Sequence, residues 1–280
     1  MNYIKKIPKV SIITAFLNGE AFLDQSIESI LNQSFTDFEF IIIDDCSKDN
    51  SESIVKKYME KDNRIIYIKN KERMDKVYNL NLGIDVAQAD IIAIFDGDDV
   101  SEKNRIEKQY NFLINNPEIS IVGSFVKIID ENGVIIDERT KPTNTEEIFK
   151  NAIVYSPLLQ PSVMYRKDVI KKIGGYREKF RHGQDMDLWL RVVYSGYKVT
   201  NIPEYLLKYR YHKNSTAHTS VKNAIGDYKM RKDAIKNFNI KIGIYNRILI
   251  YIQLIIGVCL SGRQRQNIEG LYKKILYGRK

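Results

Sequence analysis

Cysteine is scarce in this 280-residue chain: the only two, Cys46 and Cys259, lie far apart and show no CxxC spacing. Neither a disulfide framework nor a cysteine-based zinc site is therefore indicated. The first ten residues carry three lysines and a proline, and they lack the apolar run of a signal peptide. Low-complexity tracts are absent as well, and a hydrophobic content of 44% is enough for a sizeable core. These features predict an ordered protein of a reducing cytosol.

Glycine-rich nucleotide loops are missing too. The first predicted strand is followed by Ala15-Phe16-Leu17-Asn18-Gly19, which contains one glycine. A Rossmann oxidoreductase requires Gly-x-Gly-x-x-Gly at this point. A nucleotidyltransferase that makes sugar nucleotides has a glycine-rich loop near its amino terminus. The sequence therefore disfavours both classes of enzyme.

The positive charge is confined to the end of the chain. Residues 231–280 contain eleven lysines and arginines and two acids, which accounts for the whole net charge of +9. The longest uncharged apolar segment there, Ile248–Gly262, has fifteen residues, whereas a spanning helix needs about 20. We expect Ile240–Leu260 to be an interfacial helix on the cytoplasmic face of the inner membrane, with basic residues contacting anionic lipid.

Two alternatives to this peripheral membrane helix stay open. The helix can pack on the protein's own core, or it can form a homodimer interface. Nucleic acid is not an expected partner, because the tail lacks a recognisable aromatic-basic module.

Apolar strands alternate with helical patterns in the first half of the chain. The predicted strands are Val10–Thr14, Phe38–Ile43, Ile65–Ile68 and Ile91–Phe95. This alternation predicts an α/β fold with a mostly parallel central sheet and helices on both faces. Strands are also predicted at Ile119–Gly123 and Phe125–Ile129, and a helix at Asp185–Tyr194. We predict one catalytic domain over residues 1–225 and a basic helical tail over 226–280.

Acidic residues follow two of these strands. Asp44-Asp45 ends the second strand, and Asp96-Gly97-Asp98-Asp99 follows the fourth. Ligands of open parallel sheets bind beyond the carboxyl ends of the strands. Carboxylates that converge there repel one another unless a cation is present, and Mg²⁺ prefers such oxygen ligands together with substrate phosphates. A single acid would more often cap a turn, but two clusters on one edge favour a metal–diphosphate site.

At these residues the chain resembles the family 2 glycosyltransferases. The resemblance runs in order from about residue 8 to about 215. Its segments are Val10–Asn18, Ser29–Phe35, Ile43–Ser51 (Asp-Asp-x-Ser-x-Asp-x-Ser), Phe95–Asp99 (Asp-x-Asp-Asp) and Gly183–Arg191. The family implies a GT-A fold, with a nucleotide-sugar half over about 8–110 and an acceptor half over about 111–225.

The resemblance also implies roles for the residues at the strand ends. Asp45 would hydrogen-bond the nucleotide base, usually uracil, and the backbone of Ala15 would help. Asp96 and Asp98 would hold the ribose, the diphosphate and a Mn²⁺ or Mg²⁺ ion. The further metal ligands it suggests are Asp99 and His212, a surface loop being the alternative for the histidine.

The third predicted helix departs from the family pattern. Leu80 stands where many relatives have an arginine. Lys76 or Arg73 is the candidate for the missing cation near the diphosphate, and an exposed surface position is the alternative for either.

Asp185 occupies the position of the family's general base. It would take the proton of the acceptor hydroxyl as that oxygen attacks the anomeric carbon, in a single displacement with inversion. The family commonly has Glu-Asp here, whereas this chain has Gln184-Asp185. Glutamine cannot accept the proton, so the role falls to Asp185.

The resemblance extends to bacterial enzymes of O-antigen and capsule synthesis. It suggests a UDP-glucose or UDP-galactose donor and a lipid-linked acceptor, an N-acetylhexosamine on undecaprenyl diphosphate. The alternatives are an inactive carbohydrate- or nucleotide-binding relative and a transferase that acts on a protein or a soluble sugar.

Overall fold

The computed structural model describes residues 6–180, 183–212 and 221–259. Its contacts divide the chain into two packing units, residues 1–212 and 213–280. The strands of the first unit are Val10–Phe16 (β1), Phe38–Asp44 (β2), Ile65–Lys69 (β3), Ile91–Ile94 (β4), Val100–Ser101 (β5), Ile119–Ile129 (β6), Ile135–Arg139 (β7), Met164–Arg166 (β8) and Lys198–Arg210 (β9). Its helices are Leu23–Leu31 (α1), Ser51–Met59 (α2), Lys76–Val86 (α3), Arg105–Asn115 (α4), Thr145–Asn151 (α5), Lys167–Lys172 (α6) and Gln184–Tyr194 (α7).

The first four strands form the parallel part of the sheet, in the order β3-β2-β1-β4. Every residue of β2 is buried, as expected for a strand covered on both faces. Val10 pairs with Phe38 on one side and with Ile91 on the other, so the carboxyl ends of β1, β2 and β4 lie side by side. The predicted strands and their parallel order are confirmed.

The sheet as a whole is mixed, which corrects the expectation of a mostly parallel sheet. β8 runs antiparallel between β4 and β6, and β7 is a hairpin partner of β6. β9 lies parallel to β6 and antiparallel to β5. The strands predicted on either side of Ser124 are one strand, β6, whose register with β9 shifts beside this residue. The short turn between β6 and β7 permits only antiparallel pairing.

Helices cover both faces of the parallel strands. Leu23, Ile27 and Ile30 of α1 are fully buried in the same apolar cluster as Ile12 of β1. On the other face α3 approaches β1 so closely that a Cβ atom on Gly83 would lie 2.5 Å from Cγ2 of Ile13. The close contact holds the amino-terminal end of α3 against the sheet edge where the acids lie.

The second unit is described as two helices, Val221–Asn237 (α8) and Ile244–Cys259 (α9). They pack at Gly257, where an added Cβ would lie 2.3 Å from Cβ of Ala224. Within the described ranges, no helix combines the length and apolar character that crossing a bilayer requires. The predicted Ile240–Leu260 helix is observed as α9, and the basic residues 263–280 lie outside the described residues.

Gly83→Ala tests the close approach of α3 to β1. Crowding the stiff Ile13 side chain is expected to destabilise the fold by about 1–3 kcal/mol. Gly226→Ala in α8 is the matched control, because nothing lies within 4 Å of its added methyl group; it should be neutral or stabilising by about 0.4–1 kcal/mol. Urea unfolding measures both. Equal stability of the two variants would contradict the packing described.

Candidate active site

Residues 74–76, where α3 begins, connect the two acidic clusters. The backbone N–H groups of Met74 and Asp75 donate to the Asp45 carboxylate at 2.8 and 3.2 Å. Nζ of Lys76 donates to both carboxylate oxygens of Asp96, at 2.9 and 3.1 Å. The carboxyl ends of β2 and β4 are therefore tied together through one short segment.

Asp44 and Asp45 have different surroundings. Asp44 is fully buried and accepts hydrogen bonds from the Ser47 N–H and the Tyr67 hydroxyl, at 2.7 and 2.8 Å. It therefore shapes the loop after β2. Burial raises the pKa of the Asp45 carboxyl, but hydrogen bonds from Asn79, Met74 and Asn70 outweigh burial and lower the pKa overall. Asp45 is thus held as a buried anion beside the end of β1.

Ala15 lies at the same edge, one residue before the end of β1. It pairs with Ile43 in β2. The carbonyl of the next residue, Phe16, accepts the Asp45 N–H at 2.9 Å. The structure thus brings Ala15 and Asp45 together, as the sequence predicts for a nucleotide-base site.

Three carboxylates crowd the loop after β4. Ligand oxygens of Asp96, Asp98 and Asp99 all lie within 4.8 Å of one another. Burial and the charge of Asp96 raise the pKa of Asp98, although His212 and Lys76 oppose the shift. Burial and the charges of Asp98 and Asp96 raise the pKa of Asp99 well above its ordinary value. The loop therefore favours either a proton or a cation.

Cations surround this cluster. Burial lowers the pKa of Lys76, but the charge of Asp96 outweighs burial and the net shift is upward. Arg105 is fully buried below the loop and donates to the Ile94 carbonyl at 2.7 Å. Burial lowers the pKa of Arg105 to about 10, against the opposing charges of Asp99 and Asp96. Both side chains thus offset part of the negative charge of the cluster.

The donor set fits a hard divalent cation. One oxygen of Asp99 accepts the Arg210 N–H at 2.8 Å. Its other oxygen, Oδ2, is buried, and no hydrogen-bond donor of the described residues reaches it. A buried carboxylate oxygen without a partner is costly, and a bound cation would satisfy it. Asp96, Asp98 and Asp99 are therefore the residues that would hold Mn²⁺ or Mg²⁺.

The end of β9 closes over the acidic loop. The Arg210 side chain, 2% exposed as a residue, donates to the Asp98 carbonyl, to the 130–131 turn and to Gln25, and its guanidinium stacks on Phe22. Nε2 of His212 lies 2.9 Å from Oδ2 of Asp98, and the imidazole ring also packs on Phe22. Arg210 thus positions the loop backbone, while His212 contacts a candidate metal ligand directly.

Asp185 lies in the first turn of α7, after Gly183 in a left-handed conformation (φ 82°). It is half-buried. Burial raises the pKa of its carboxyl, whereas the Met186 N–H and the positive charge of Lys76 partly offset the shift. Among the described residues, no hydrogen bond or ion pair links Asp185 directly to the acidic loop. It nevertheless lies close enough to Lys76 to feel its positive charge. A carboxylate with a raised pKa suits a general base.

Asp187, two residues further along α7, has a structural role. It is 2% exposed and forms ion pairs with Arg177 and with Arg191, whose Nε lies 2.9 Å from the carboxylate. Arg191 also donates to the carbonyls of Ile173 and Gly175. The ion pairs therefore fix the 173–177 loop to α7 and hold the helix that carries Asp185.

Two solved structures with the same fold are complexes with nucleotide sugars. The UDP-GlcNAc complex of S. aureus TarS superposes with a TM-score of 0.71 over 90% of this chain and 73% of that one, at 18% identity. A mannosyltransferase of Pyrobaculum calidifontis, in complex with GDP-Man and Mn²⁺, superposes with a TM-score of 0.65 over 99% and 77%, at 14% identity. The predicted GT-A fold is therefore confirmed.

Sequence comparison defines the family. The profile of glycosyl transferase family 2 matches residues 11–174, and the chain belongs to this family. The O-antigen biosynthesis glycosyltransferase WbnJ of Escherichia coli is 35% identical over 241 residues, which are 84% of this chain and 91% of WbnJ. The resemblance drawn from the ordered motifs is confirmed.

Asp187→Asn tests the ion pairs that hold α7. It leaves two arginines without their carboxylate, so we expect a loss of about 3–5 kcal/mol in the free energy of unfolding. Asp85→Asn is the matched control, since Asp85 pairs with Lys171 at an exposed position and should contribute less than about 1 kcal/mol. Urea denaturation compares the variants, and a small loss for Asp187→Asn would remove its structural role.

The raised pKa of Asp185 predicts a pH dependence of transfer. A general base at Asp185 would act only when ionised, so kcat/KM should rise with pH through a pKa above the ordinary aspartate value of about 3.9. The acidic limb should keep its position when Mn²⁺ is varied, whereas a limb set by metal ligands would move. Rate profiles at several Mn²⁺ concentrations measure this. A limb that follows Mn²⁺ would contradict the assignment to Asp185.

Proposed function

We propose that this chain transfers a hexose, glucose or galactose, from a UDP-sugar to a lipid-linked saccharide with inversion of the anomeric carbon. The acceptor is an N-acetylhexosamine on undecaprenyl diphosphate, and the product enters a cell-surface polysaccharide. The observation that carries the proposal is the pairing of the carboxylate cluster at β4 with a separate, half-buried carboxylate, Asp185, whose pKa is raised.

The donor is held along the edge formed by β1, β2 and β4. Asp45 and the backbone of Ala15 contact the uracil. Asp96 and Asp98 hold the ribose and diphosphate, and Asp99 and His212 complete the site. A bound Mn²⁺ or Mg²⁺ supplies Lewis-acid stabilisation of the leaving diphosphate. Lys76, already beside Asp96, donates a hydrogen bond to the same phosphates.

Chemistry takes place at the anomeric carbon. Asp185 accepts the proton of the acceptor hydroxyl while the hydroxyl oxygen forms a bond to the anomeric carbon. The bond from the carbon to the diphosphate oxygen breaks, and UDP leaves with the electron pair. Attack from the face opposite UDP converts an α-linked donor into a β-glycoside.

The choice of pathway rests on the relatives. WbnJ, which aligns over most of both chains, is named for O-antigen biosynthesis. TarS is solved with UDP-GlcNAc, and the mannosyltransferase with GDP-Man and Mn²⁺. These names favour a nucleotide-sugar donor, a divalent metal and a polysaccharide product.

The membrane location rests on the second unit. α9 exposes a row of apolar side chains, with Ile244 75%, Ile248 49% and Ile255 58% accessible. Such a row suits insertion at the lipid interface, because the described part of α9 lacks the length and apolar character needed to cross a bilayer. These features support the proposal of a peripheral location on the cytoplasmic face of the inner membrane, and a homodimer through α9 is the competing arrangement.

The decisive experiment separates the base from the donor site. Asp185→Asn should lower the initial rate of hexose transfer by about 10²–10⁴-fold, because the proton acceptor is gone. UDP binding in the presence of Mn²⁺, measured by calorimetry, should stay close to wild type. Asp98→Asn should lose UDP binding itself. The assay uses UDP-glucose or UDP-galactose with a synthetic GlcNAc-diphospho-lipid, and NMR determines the anomeric configuration of the product.

Asp137→Asn is the control for this series, because Asp137 is an exposed residue of β7. Near-normal turnover of Asp185→Asn would eliminate Asp185 as base. Donor binding without transfer to any acceptor would favour an inactive binding relative. Transfer to a soluble sugar or a protein, but not to the lipid, would favour the other acceptors.

A further inference from the structure

A pocket of about 380 Å³ opens between α8 and α9, within the second unit. The volume lies in the range of small-ligand sites, about 300–1,000 Å³. Its walls come from both helices and from the segment that connects them. The lining residues are Tyr228, Arg231, Lys232, Ile235, Lys236, Ile242, Arg247, Ile250 and Tyr251.

The polar part of the pocket is cationic. Arg231, Lys232, Lys236 and Arg247 line it, and no acidic residue does. Across the ranges that the structure describes, no carboxylate forms an ion pair with Lys232, Lys236 or Arg247. The positive charges of Lys232, Lys236 and Arg247 around one small volume repel each other, and an anion placed among them would relieve that repulsion.

The apolar part of the pocket gives the ligand a second property. Ile235, Ile242 and Ile250 line the same volume as the cations. Tyr228 and Tyr251 lie with their rings 5.7 Å apart and their hydroxyl groups 3.3 Å apart. A bare inorganic anion would leave this apolar wall unused, so the ligand that fits is an anion with a hydrocarbon part.

The outer face of α9 continues this apolar surface. Tyr251 lines the pocket and is 54% exposed, and Ile248 and Ile255 are exposed one turn to either side of it. Tyrosine is favoured at membrane–water interfaces because one end of its ring is apolar and the other polar. A chain attached to an anion in the pocket can therefore leave along α9.

We infer that the pocket binds the phosphate head of an anionic glycerophospholipid whose acyl chains extend along the exposed face of α9. The inference deepens the membrane location given under Proposed function and rests on it. It adds a defined lipid site to a helix that would otherwise attach by apolar insertion and diffuse charge.

Vesicle flotation of the full chain, without donor, acceptor or metal, tests the site. The vesicles are phosphatidylcholine alone, phosphatidylcholine with about one third phosphatidylglycerol, and phosphatidylcholine with a small fraction of undecaprenyl phosphate. The chain should float with phosphatidylglycerol and stay largely unbound with phosphatidylcholine. Flotation with undecaprenyl phosphate and none with phosphatidylglycerol would overturn the assigned lipid.

Paired substitutions separate a site from diffuse charge. Lys236→Gln with Arg247→Gln removes two lining charges, while Lys229→Gln with Lys241→Gln removes two exposed charges outside the pocket. If the attraction were diffuse, removing one charge at any of these positions would lower partitioning onto the vesicles by about fivefold. The pocket pair should lose at least about tenfold more partitioning than the control pair, and equal losses would overturn the inference.

Two further readouts keep the outcome clear. Hydrogen exchange of residues 228–251 should slow on phosphatidylglycerol vesicles in the wild type and in the control pair, and not in the pocket pair. Concentration-dependent dimerisation through α9 without vesicle binding would overturn the proposal in favour of a second copy. UDP release by the wild type is measured separately, so failure of the transferase assignment leaves the lipid result interpretable.

Discussion

Repulsion among three carboxylates is the constraint on which the site depends. Asp96, Asp98 and Asp99 share one loop, and the burial of Asp99 strengthens their mutual repulsion because water screens it less. Cations from distant segments offset this repulsion: Lys76 belongs to α3 and Arg105 to α4. The backbone N–H of Arg210 in β9 also donates a hydrogen bond to Asp99. The charge balance therefore requires α3, α4 and β9 to reach one edge of the sheet.

The α3 end of this arrangement carries strain. Asp75 has a φ of 86° and a ψ of 167°, an extended conformation with positive φ that is rare for residues other than glycine and costs about 1–3 kcal/mol. The strain persists because Asp45 accepts the Asp75 N–H and because Asp75 in turn caps α3 by accepting the N–H groups of Val77 and Tyr78. The conformation aims Lys76 at Asp96, so local strain is offset by the contacts that assemble the site.

Local patterns predicted the parts of the molecule that depend on neighbouring residues. Continuous apolar runs identified the parallel strands, the residues that follow these strands identified the acidic clusters, and helical spacing identified α7.

Contacts between segments that are distant in the chain left weaker signals in the sequence. The sequence suggested Lys76 only as a cation for the diphosphate and favoured an exposed position for it, so its ion pair with Asp96 was not predicted. Nothing in the sequence near Arg105 or Arg210 indicates that these side chains are buried beside the acidic loop. Asp187 resembles a surface helical acid until Arg177 and Arg191 are placed around it. Strands β5, β8 and β9 were not predicted for the same reason, because their partners are set by tertiary contacts.

We propose that Lys76 balances the carboxylates until a metal–diphosphate binds beside them. Mn²⁺ affinity, measured by electron paramagnetic resonance with and without UDP, tests it in Lys76→Met. Without UDP, loss of the competing Lys76 charge should tighten Mn²⁺ binding by roughly several-fold. This change corresponds to a fraction of the Coulomb energy between two close charges. With UDP, loss of the phosphate contact should weaken binding. Lys150→Met, at an exposed position of α5, should change neither value. A shift of the same sign in both conditions, or none in either, would contradict the account.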